Sequence, residues 1–387
     1  MLTINACGEI SKSAMGVAGK MNKRKDHLNR VLFLLLDNIA WLLVGVSVVV
    51  FSLLSDRFLR SYTLINIIPK VVPIGILVIG QSFAMLTKHF DLSSESVLGL
   101  VAFSAALLIA SPELGGWGTM LPGWMVIVLM LGAGVLIGML NGFMITKLKL
   151  NNLVYTIAIL ITLRGICYLI SPSSSASSLG EGFGWLGGGS LFTITVDGKP
   201  VRVPVSLLFF FLIFAAAHVI ARYTRFGRNI YAVGADRAAA EAAGIRSERI
   251  IIAVYTISGF CAALAAWMLA GRMDSAAMKT GENWIFSIQA AAIIGGISLK
   301  GGRGNMIGAM GGVILWGVLN TGLGIAQASP WIIDAILGGL LLLAVLLDAV
   351  KNRYFVRKTL KEQLSQSQVG LSDNYLNVNR SLAQGAK

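Results

Sequence analysis

Charge is what this 387-residue chain has least of: Asp, Glu, Lys and Arg make up 13% of it, against about a quarter of an ordinary globular domain. The shortage comes in blocks. Asn38 to Ser55, Val203 to Ala221 and Ile251 to Gly271 hold no acid, Lys or Arg, and Leu114 to Thr146 and Gly304 to Ile333 run longer still. A spanning helix needs about 20 mostly apolar residues, so the class is a polytopic α-helical membrane protein. A β-barrel is excluded, because it would show short alternating segments instead.

Other absences narrow the chemistry. Cys7, Cys167 and Cys261 are scattered, and the three histidines lie far apart, which excludes a disulfide framework and a metal-ligand spacing. No P-loop is present: Gly198–Lys199 is followed by Pro and lacks the upstream glycine, so no ATP binding through that motif is expected in this chain. "GGRGNMIG", Gly301 to Gly308, imitates a dinucleotide fingerprint with the wrong spacing and outside a βαβ unit. No ordered series of Asp, Glu and His in the apolar runs marks a proton relay. No cleavable signal is expected either. The first apolar run begins at Val31, after the basic "KMNKRKDHLNR", and its length of about 24 residues exceeds the ~7–15 of a signal core. "INAC" at Ile4 to Cys7 only loosely resembles a lipoprotein box, since no apolar segment precedes it.

What is present is a series of ten candidate spans: 31–54, 64–87, 92–110, 121–146, 153–170, 205–222, 251–270, 284–299, 306–325 and 332–349. The eighth, "WIFSIQAAAIIGGISL", is short and carries Gly295–Gly296, the mark of a half-helix or a broken one, tolerable where protein or a water-filled cavity covers it. The formal net charge of +14 would suggest nucleic acid in a soluble protein, but its placement here follows the positive-inside rule. With the N-terminus inside and the spans alternating, 24 Lys and Arg fall on the cytoplasmic side and 6 outside. That ratio supports an N-in, C-in arrangement. Residues 1–30 then form a basic cytoplasmic tail, 31–350 the transmembrane domain and 351–387 a polar, partly disordered cytoplasmic tail. The insert from Ser171 to Pro204 lands outside. "SPSSSASSLGEGFGWLGGGS" reads as loop, and "LFTITVDGKPVRV" as a β-hairpin turning at Asp197–Gly198.

Small residues recur within the spans, in "GAGVLIGMLNG" (Gly132 to Gly142) and "GAMGG" (Gly308 to Gly312), and allow close helix approach in lipid. Asp37, Arg164, Gln289, Asn320 and Asp334 are costly inside a membrane. They read either as interhelical or interfacial partners or as parts of a hydrated path. The segment "RNIYAVGADRAAAEAAGIRSERI", Arg228 to Ile250, falls on the cytoplasmic side. Asp236 can cap a helix start, "RAAAEAA" favours helix, and Gly244 can end it in the left-handed conformation. A helix of about two turns is unstable alone. The residues by themselves leave open an ordinary loop with a stray helix or an element that docks on a partner.

Several blocks, in order over roughly 65 to 350, resemble the ribose-type sugar permeases, membrane subunits of bacterial ABC importers. "RFGRNIYAVGADRAAAEAAGI" is similar to the family's signature loop through Thr224, Phe226, Gly227, Arg228, Ala232, Gly234, Ala239, Ala240, Gly244 and Ile245. "VYTISGFCAALAAWMLAGR" resembles the next span. "AAIIGGISLKGGRGNMIGAMGGVILWGVLNTGL" matches the most characteristic block, with Gly295, Gly296, Ser298, Gly301, Gly302, Gly304, Asn320 and Gly322 in place. "LNGFMITKLKLNNLVYTIAILITLRGI" aligns through Asn141, Gly142, Thr156, Arg164 and Gly165. There are departures. Where the family has Gly–Gly–x–Asp–Leu–Ser–x–Gly, this chain reads "KHFDLSSE": Asp91, Leu92 and Ser93 match, while Lys88, His89 and Glu95 replace glycines. "NNL" at Asn151 to Leu153 and "NWIFSIQAA" also differ from the family's stretches.

The resemblance implies an ABC importer permease fold in the bacterial inner membrane, surrounded by lipid. Two permease subunits, alike or unlike, would form the pathway, and a periplasmic sugar-binding protein would deliver a monosaccharide or small polyol. Two cytoplasmic ATPase subunits would bind the ATP, leaving this chain without cofactor, metal or catalytic residue, and without a nucleic-acid partner. The ATPase-coupling loop would comprise Arg228, Gly234, Asp236, Ala239, Ala240, Gly244 and Ile245. Asp91, Ser93, Asn141, Arg164, Gln289 and Asn320 are candidates for the translocation path. The alternatives are a secondary transporter or facilitator that needs no ATPase, and a membrane partner that anchors or senses.

Overall fold

The computed structural model describes residues 38–349 except 171–172, 197–198, 330, 334, 337 and 347–348. The N-tail, Asp37, the Asp197–Gly198 turn, Asp334 and the C-tail therefore lie outside the described residues. Each apolar run, so far as it falls within the described residues, forms helix, because a backbone in lipid must satisfy its own polar groups. In chain order these are α1 (Ile39–Leu54), α2 (Ser61–Leu86), α3 (Ser94–Ile109), α4 (Gly123–Lys147) and α5 (Asn152–Leu169). After the insert, which holds α6 (Glu181–Gly188), come α7 (Val205–Tyr223), α8 (Arg225–Ala235), α9 (Arg237–Ala242), α10 (Ser247–Met273), α11 (Trp284–Ile294) and α12 (Met306–Ile325). A last apolar helix, α13, runs Trp331–Leu346. Six of them, α2, α4, α5, α7, α10 and α12, are long and apolar enough to cross a membrane, and α1, α3, α11 and α13 are shorter apolar helices. The chain is a helical multi-pass membrane protein. Its internal contacts divide it into two units after Leu341.

Helix α10 is the axis of the first unit and packs against α2, α3, α4 and α6. Its seam with α4 is made by Gly134, Gly138 and Gly142, one turn apart on one face. A Cβ on Gly138 would stand 2.3 Å from the Tyr255 carbonyl oxygen, and one on Gly134 2.4 Å from that of Gly259. The small residues are thus used for backbone-to-backbone contact, as in lipid-embedded packing generally.

Helix α2 contains Pro69 and Pro73. Pro73 has no N–H for the carbonyl four residues before it. That carbonyl, Pro69's, accepts instead from Arg272 Nη1 at 3.0 Å, at the far end of α10. Helix α11 has 11 residues, about 16 Å at the α-helical rise, roughly half the hydrocarbon thickness. It stops at Gly295–Gly296, where Gly296 takes φ +87° and the Ile297 N–H closes back on the Ala292 carbonyl at 3.0 Å. The half-helix expected from the glycine pair is what forms.

The chain is mostly helical, as the all-α reading expects, with small β elements in addition. The described residues include two two-stranded antiparallel sheets. β1 (Ser175–Ser177) pairs with β4 (Ser275–Ala277), and β2 (Ser190–Val196) pairs with β3 (Lys199–Pro204), the hairpin expected there. The stretch read as loop before it also folds. Phe183, Leu186 and Gly187 of α6 are buried against the end of α10, where Trp267 Nε1 donates to the Phe183 carbonyl at 2.8 Å. Its serines and glycines say loop, and eight residues do not hold a helix alone. Docking on α10 supplies the stability that composition hides.

Candidate functional site

The Arg228–Ile250 segment contains more helix than its sequence suggested, two helices meeting at an elbow. Thr224 caps α8 by accepting the Gly227 N–H at 3.1 Å. Asp236, extended at φ −152°, ends α8 and starts α9, its Oδ1 accepting the Ala239 N–H at 3.0 Å. Arg237 donates to Glu241 at 2.8 Å along the exposed side. Gly244 takes φ +85°, and the half-buried Ile245 returns its N–H to the Ala240 carbonyl at 3.0 Å. The capping read from the sequence is the capping found. The alanines differ from one another: Ala240 is buried within the chain itself, while Ala238 and Ala239 are exposed. The exposed side of α9 thus carries the small Ala238 and Ala239 beside the Arg237–Glu241 pair.

This elbow is keyed to the membrane helices through backbone. A Cβ on Gly234 would stand 1.7 Å from the Leu86 carbonyl oxygen and 2.7 Å from the Gly302 nitrogen. Only glycine lets the end of α8, the end of α2 and the 298–304 loop cross there, and Gly302 N–H donates to that same Leu86 carbonyl at 2.9 Å. Lys88, where the family has glycine, keeps a glycine-like φ of +63° and reaches across to donate from Nζ to the Ala235 carbonyl at 3.0 Å. His89 lies in the same connection between α2 and α3. Its Nδ1 donates to the Thr87 carbonyl at 2.7 Å, its ring meets Tyr255 edge-on, and burial pushes its pKa below the ordinary value. Arg228 does not join α9. It lines a separate cavity with His218, Arg222 and Tyr231.

Of the six path candidates, three meet. Asp91 is buried, with Oδ1 accepting the Ser93 backbone N–H at 3.0 Å and its hydroxyl at 2.6 Å. Its Oδ2 accepts the Ser258 hydroxyl at 2.6 Å. Asn141 Nδ2 donates to Ser93 Oγ at 2.9 Å, and the Tyr155 hydroxyl donates to Asn141 Oδ1 at 3.2 Å. Ser258 and Tyr155 were not foreseen, since a lone hydroxyl in an apolar run carries no signal of its own.

Arg164 belongs to a second centre. Its Nη1 donates to the Met278 and Thr280 carbonyls at 3.0 and 3.1 Å, and its Nη2 stands 3.9 Å from Glu95 Oε1. The other Glu95 oxygen accepts the Ile285 N–H at 2.8 Å, in the first turn of the half-helix α11. Gln289 and Asn320 are half-buried and join neither centre. A residue that sequence reasoning missed is Gln81, in mid-α2: wholly buried, with neither Nε2 nor Oε1 hydrogen-bonded among the described residues. Its signal was a single amide inside "VIGQSFAM", of the same kind as Gln289.

Comparison with known proteins gives a consistent set. Residues 63–345 match the family described as branched-chain amino acid transport system / permease component. The chain is 31% identical over 307 residues to the ribose import permease protein RbsC of Bacillus subtilis (strain 168), covering 79% of this chain and 91% of that protein. It is 31% identical over 319 residues to the galactose/methyl galactoside import permease protein MglC of Salmonella typhimurium, covering 80% and 92%. It is likewise 31% identical over 279 residues to the L-arabinose transport system permease protein AraH of Escherichia coli (strain K12), covering 72% and 80%. No solved structure matches it significantly.

Proposed function

The chain belongs to the branched-chain amino acid transport system / permease component family, and we propose that it is the membrane-spanning subunit of an ABC importer that moves a monosaccharide or related polyol inward. The similar ribose, galactose and arabinose permeases support the sugar class. In this reading the chain lies in the bacterial inner membrane with ten spans and both termini in the cytoplasm. Residues 1–30 and 351–387 are its tails, and 31–350 the permease domain. It works as a pair with a second permease. A periplasmic binding protein supplies the sugar, and two ATPase subunits on the cytoplasmic face bind and hydrolyse ATP.

The observation that carries the coupling role is the elbow. Helix α9 is capped at both ends and shows exposed alanines outward, and the end of α8 that it continues from is fixed to the end of α2 through Gly234, Gly302 and Lys88. An ATPase groove that accepts α9 therefore gains a direct mechanical hold on α2. ATP binding favours one ATPase arrangement, and the docked helix passes that preference to the spans as a population shift. Asp91, Ser93 and Asn141 stand just inside this junction. With Arg164, Gln289 and Asn320 they are the proposed polar groups of the sugar path.

Ala239→Trp tests the reading. The side chain is exposed, so membrane insertion and thermal unfolding should stay as in the wild type while ATPase co-purification and sugar uptake are lost. Ala240 is unsuitable for this purpose, because a Trp there would collide with the chain's own interior. Normal uptake by Ala239→Trp, or uptake by the chain alone in vesicles without any ATPase, would overturn the assignment. Pulling the tagged chain from native membranes and screening the co-purifying binding protein against sugars by thermal shift identifies the substrate.

A further inference from the structure

We propose that the junction of α7, α8 and α12 is a binding site for the headgroup of an anionic phospholipid. A cavity of about 380 Å³ lies there, lined among others by His218, Arg222, Arg228, Tyr231, Asn305 and Met306, within the ~300–1,000 Å³ of small-molecule sites. No Asp or Glu lines it, and among the described residues neither Arg222 nor Arg228 enters an ion pair. Arg222 and Arg228 thus line one concavity with no carboxylate beside them, Arg228 donating from Nη1 to the Tyr223 carbonyl at 3.4 Å. The cavity also meets the start of the 20-residue helix α12, capped by Asn305, whose Oδ1 takes the Gly308 N–H at 2.6 Å. The first-turn N–H groups of such a helix have no intrahelical partner and favour an anion. Tyr231, whose hydroxyl donates to the Gly304 carbonyl at 2.8 Å, holds the loop before α12 against α8.

The surroundings select a lipid over a soluble anion. Arg222 is in the last turn of α7, one of the membrane-capable helices, so the cavity sits where such a helix leaves the bilayer. The two helices that bring residues to it, α7 and α12, carry exposed apolar side chains. Leu208, Leu212 and Val219 on α7 are at least half exposed, and Ile307 in the first turn of α12 is 49% exposed. A lipid with its phosphate on the arginines lays its acyl chains along those side chains, and basic pockets at this level are the chemistry that retains anionic headgroups. The site depends on the multi-pass placement of the chain and not on what the pathway carries. Its failure therefore leaves the import reading untouched.

The test uses the full-length chain, purified and delipidated, titrated with phosphatidylglycerol, phosphatidylcholine or inorganic phosphate and followed by native mass spectrometry and thermal shift. The expected result is a clear preference for phosphatidylglycerol, lowered about thirty-fold in the Arg222→Gln/Arg228→Gln double variant and about fivefold in Arg222→Gln alone, the factors expected of two cations and of one near an anionic surface. Arg249→Gln, elsewhere on the exposed surface, should leave the preference unchanged. Equal affinity for the two lipids, an undiminished preference in a folded arginine variant, or an equal shift with inorganic phosphate alone would each overturn the proposal. So would efficient disulfide cross-linking of two copies through Leu212→Cys, which would show that these apolar side chains are covered by a second chain.

Discussion

Two polar centres lie on one short stretch of the chain, yet they are built on opposite plans. At Asp91 every oxygen is matched by a neutral donor: Ser93 twice and Ser258 once, with Asn141 and Tyr155 extending the chain of hydrogen bonds. At Glu95, a turn further on, the groups are fully ionisable but held apart. Glu95 and Arg164 stand 3.9 Å from each other, each bonded instead to backbone of the 278–285 segment, and Arg164 Nη2 is buried without a hydrogen bond. The first is a closed lock across α3, α4, α5 and α10. The second is an incomplete pairing spanning α3, α5 and the approach to the half-helix α11. Asp91, Ser93 and Asn141, which match the family pattern, sit in the lock, while the second centre joins a matching residue, Arg164, to a departure, Glu95 for glycine. A buried network with all members satisfied rigidifies, whereas a partly satisfied one marks where an arrangement can change. The difference teaches that the start of α11 is held to α3 by one hydrogen bond, from the Ile285 N–H to Glu95, whereas α3, α4, α5 and α10 are joined by a network of several.

The comparison can be broken most sharply at Asp91. Asp91→Ala leaves the Ser93 and Ser258 hydroxyls buried without their acceptor, and should cost about 3 kcal/mol or more, read as a large fall in the thermal unfolding midpoint and poor membrane yield. Glu95→Gln keeps an acceptor for the Ile285 N–H and removes the charge beside Arg164. It should cost roughly 1–2 kcal/mol while changing the uptake rate more than the stability. A stability loss equal to that of Asp91→Ala would show that the second centre is as closed as the first. The smallest effect is expected at Lys88. Lys88→Gly loses a charge-assisted bond to Ala235 but relieves a left-handed non-glycine backbone, two terms of about 1 kcal/mol in opposite directions. Unfolding should barely move, while more ATP is hydrolysed per sugar transported. Unchanged coupling would mean that Gly234 and Gly302 alone transmit the motion.

Much of this was legible beforehand because the signals are local. Among the described residues, apolar blocks became helices within about five residues of their expected ends, Gly295–Gly296 halted α11, and Asp236 and Gly244 capped α9 as their chemistry dictates. The failures share another cause. Helix α6 looked like loop because its stability comes from α10. The β1–β4 pairing joins segments far apart in sequence, and no turn signal announces it. Gln289 and Asn320 drew attention as polar residues in apolar runs, yet it was Gln81 whose amide proved wholly enclosed. Polarity is visible in a sequence, whereas the partner that satisfies it is not.

The sequence by itself determined that the chain is a membrane-embedded helical protein, which blocks carry the family's pattern, and where the exposed elbow begins and ends. Hydropathy and caps that act within one turn of backbone are enough for that. Tertiary structure alone decided that Ala240 turns inward and Ala239 outward, that Gly234 is the crossing point of three backbones, and that Arg228 lies away from α9 in a cavity shared with Arg222. It also joined Asp91 to Ser258 and brought Glu95 to 3.9 Å from Arg164. Such outcomes depend on close contact between elements distant along the chain, and contact at that range is settled by packing, not by any one residue's preference.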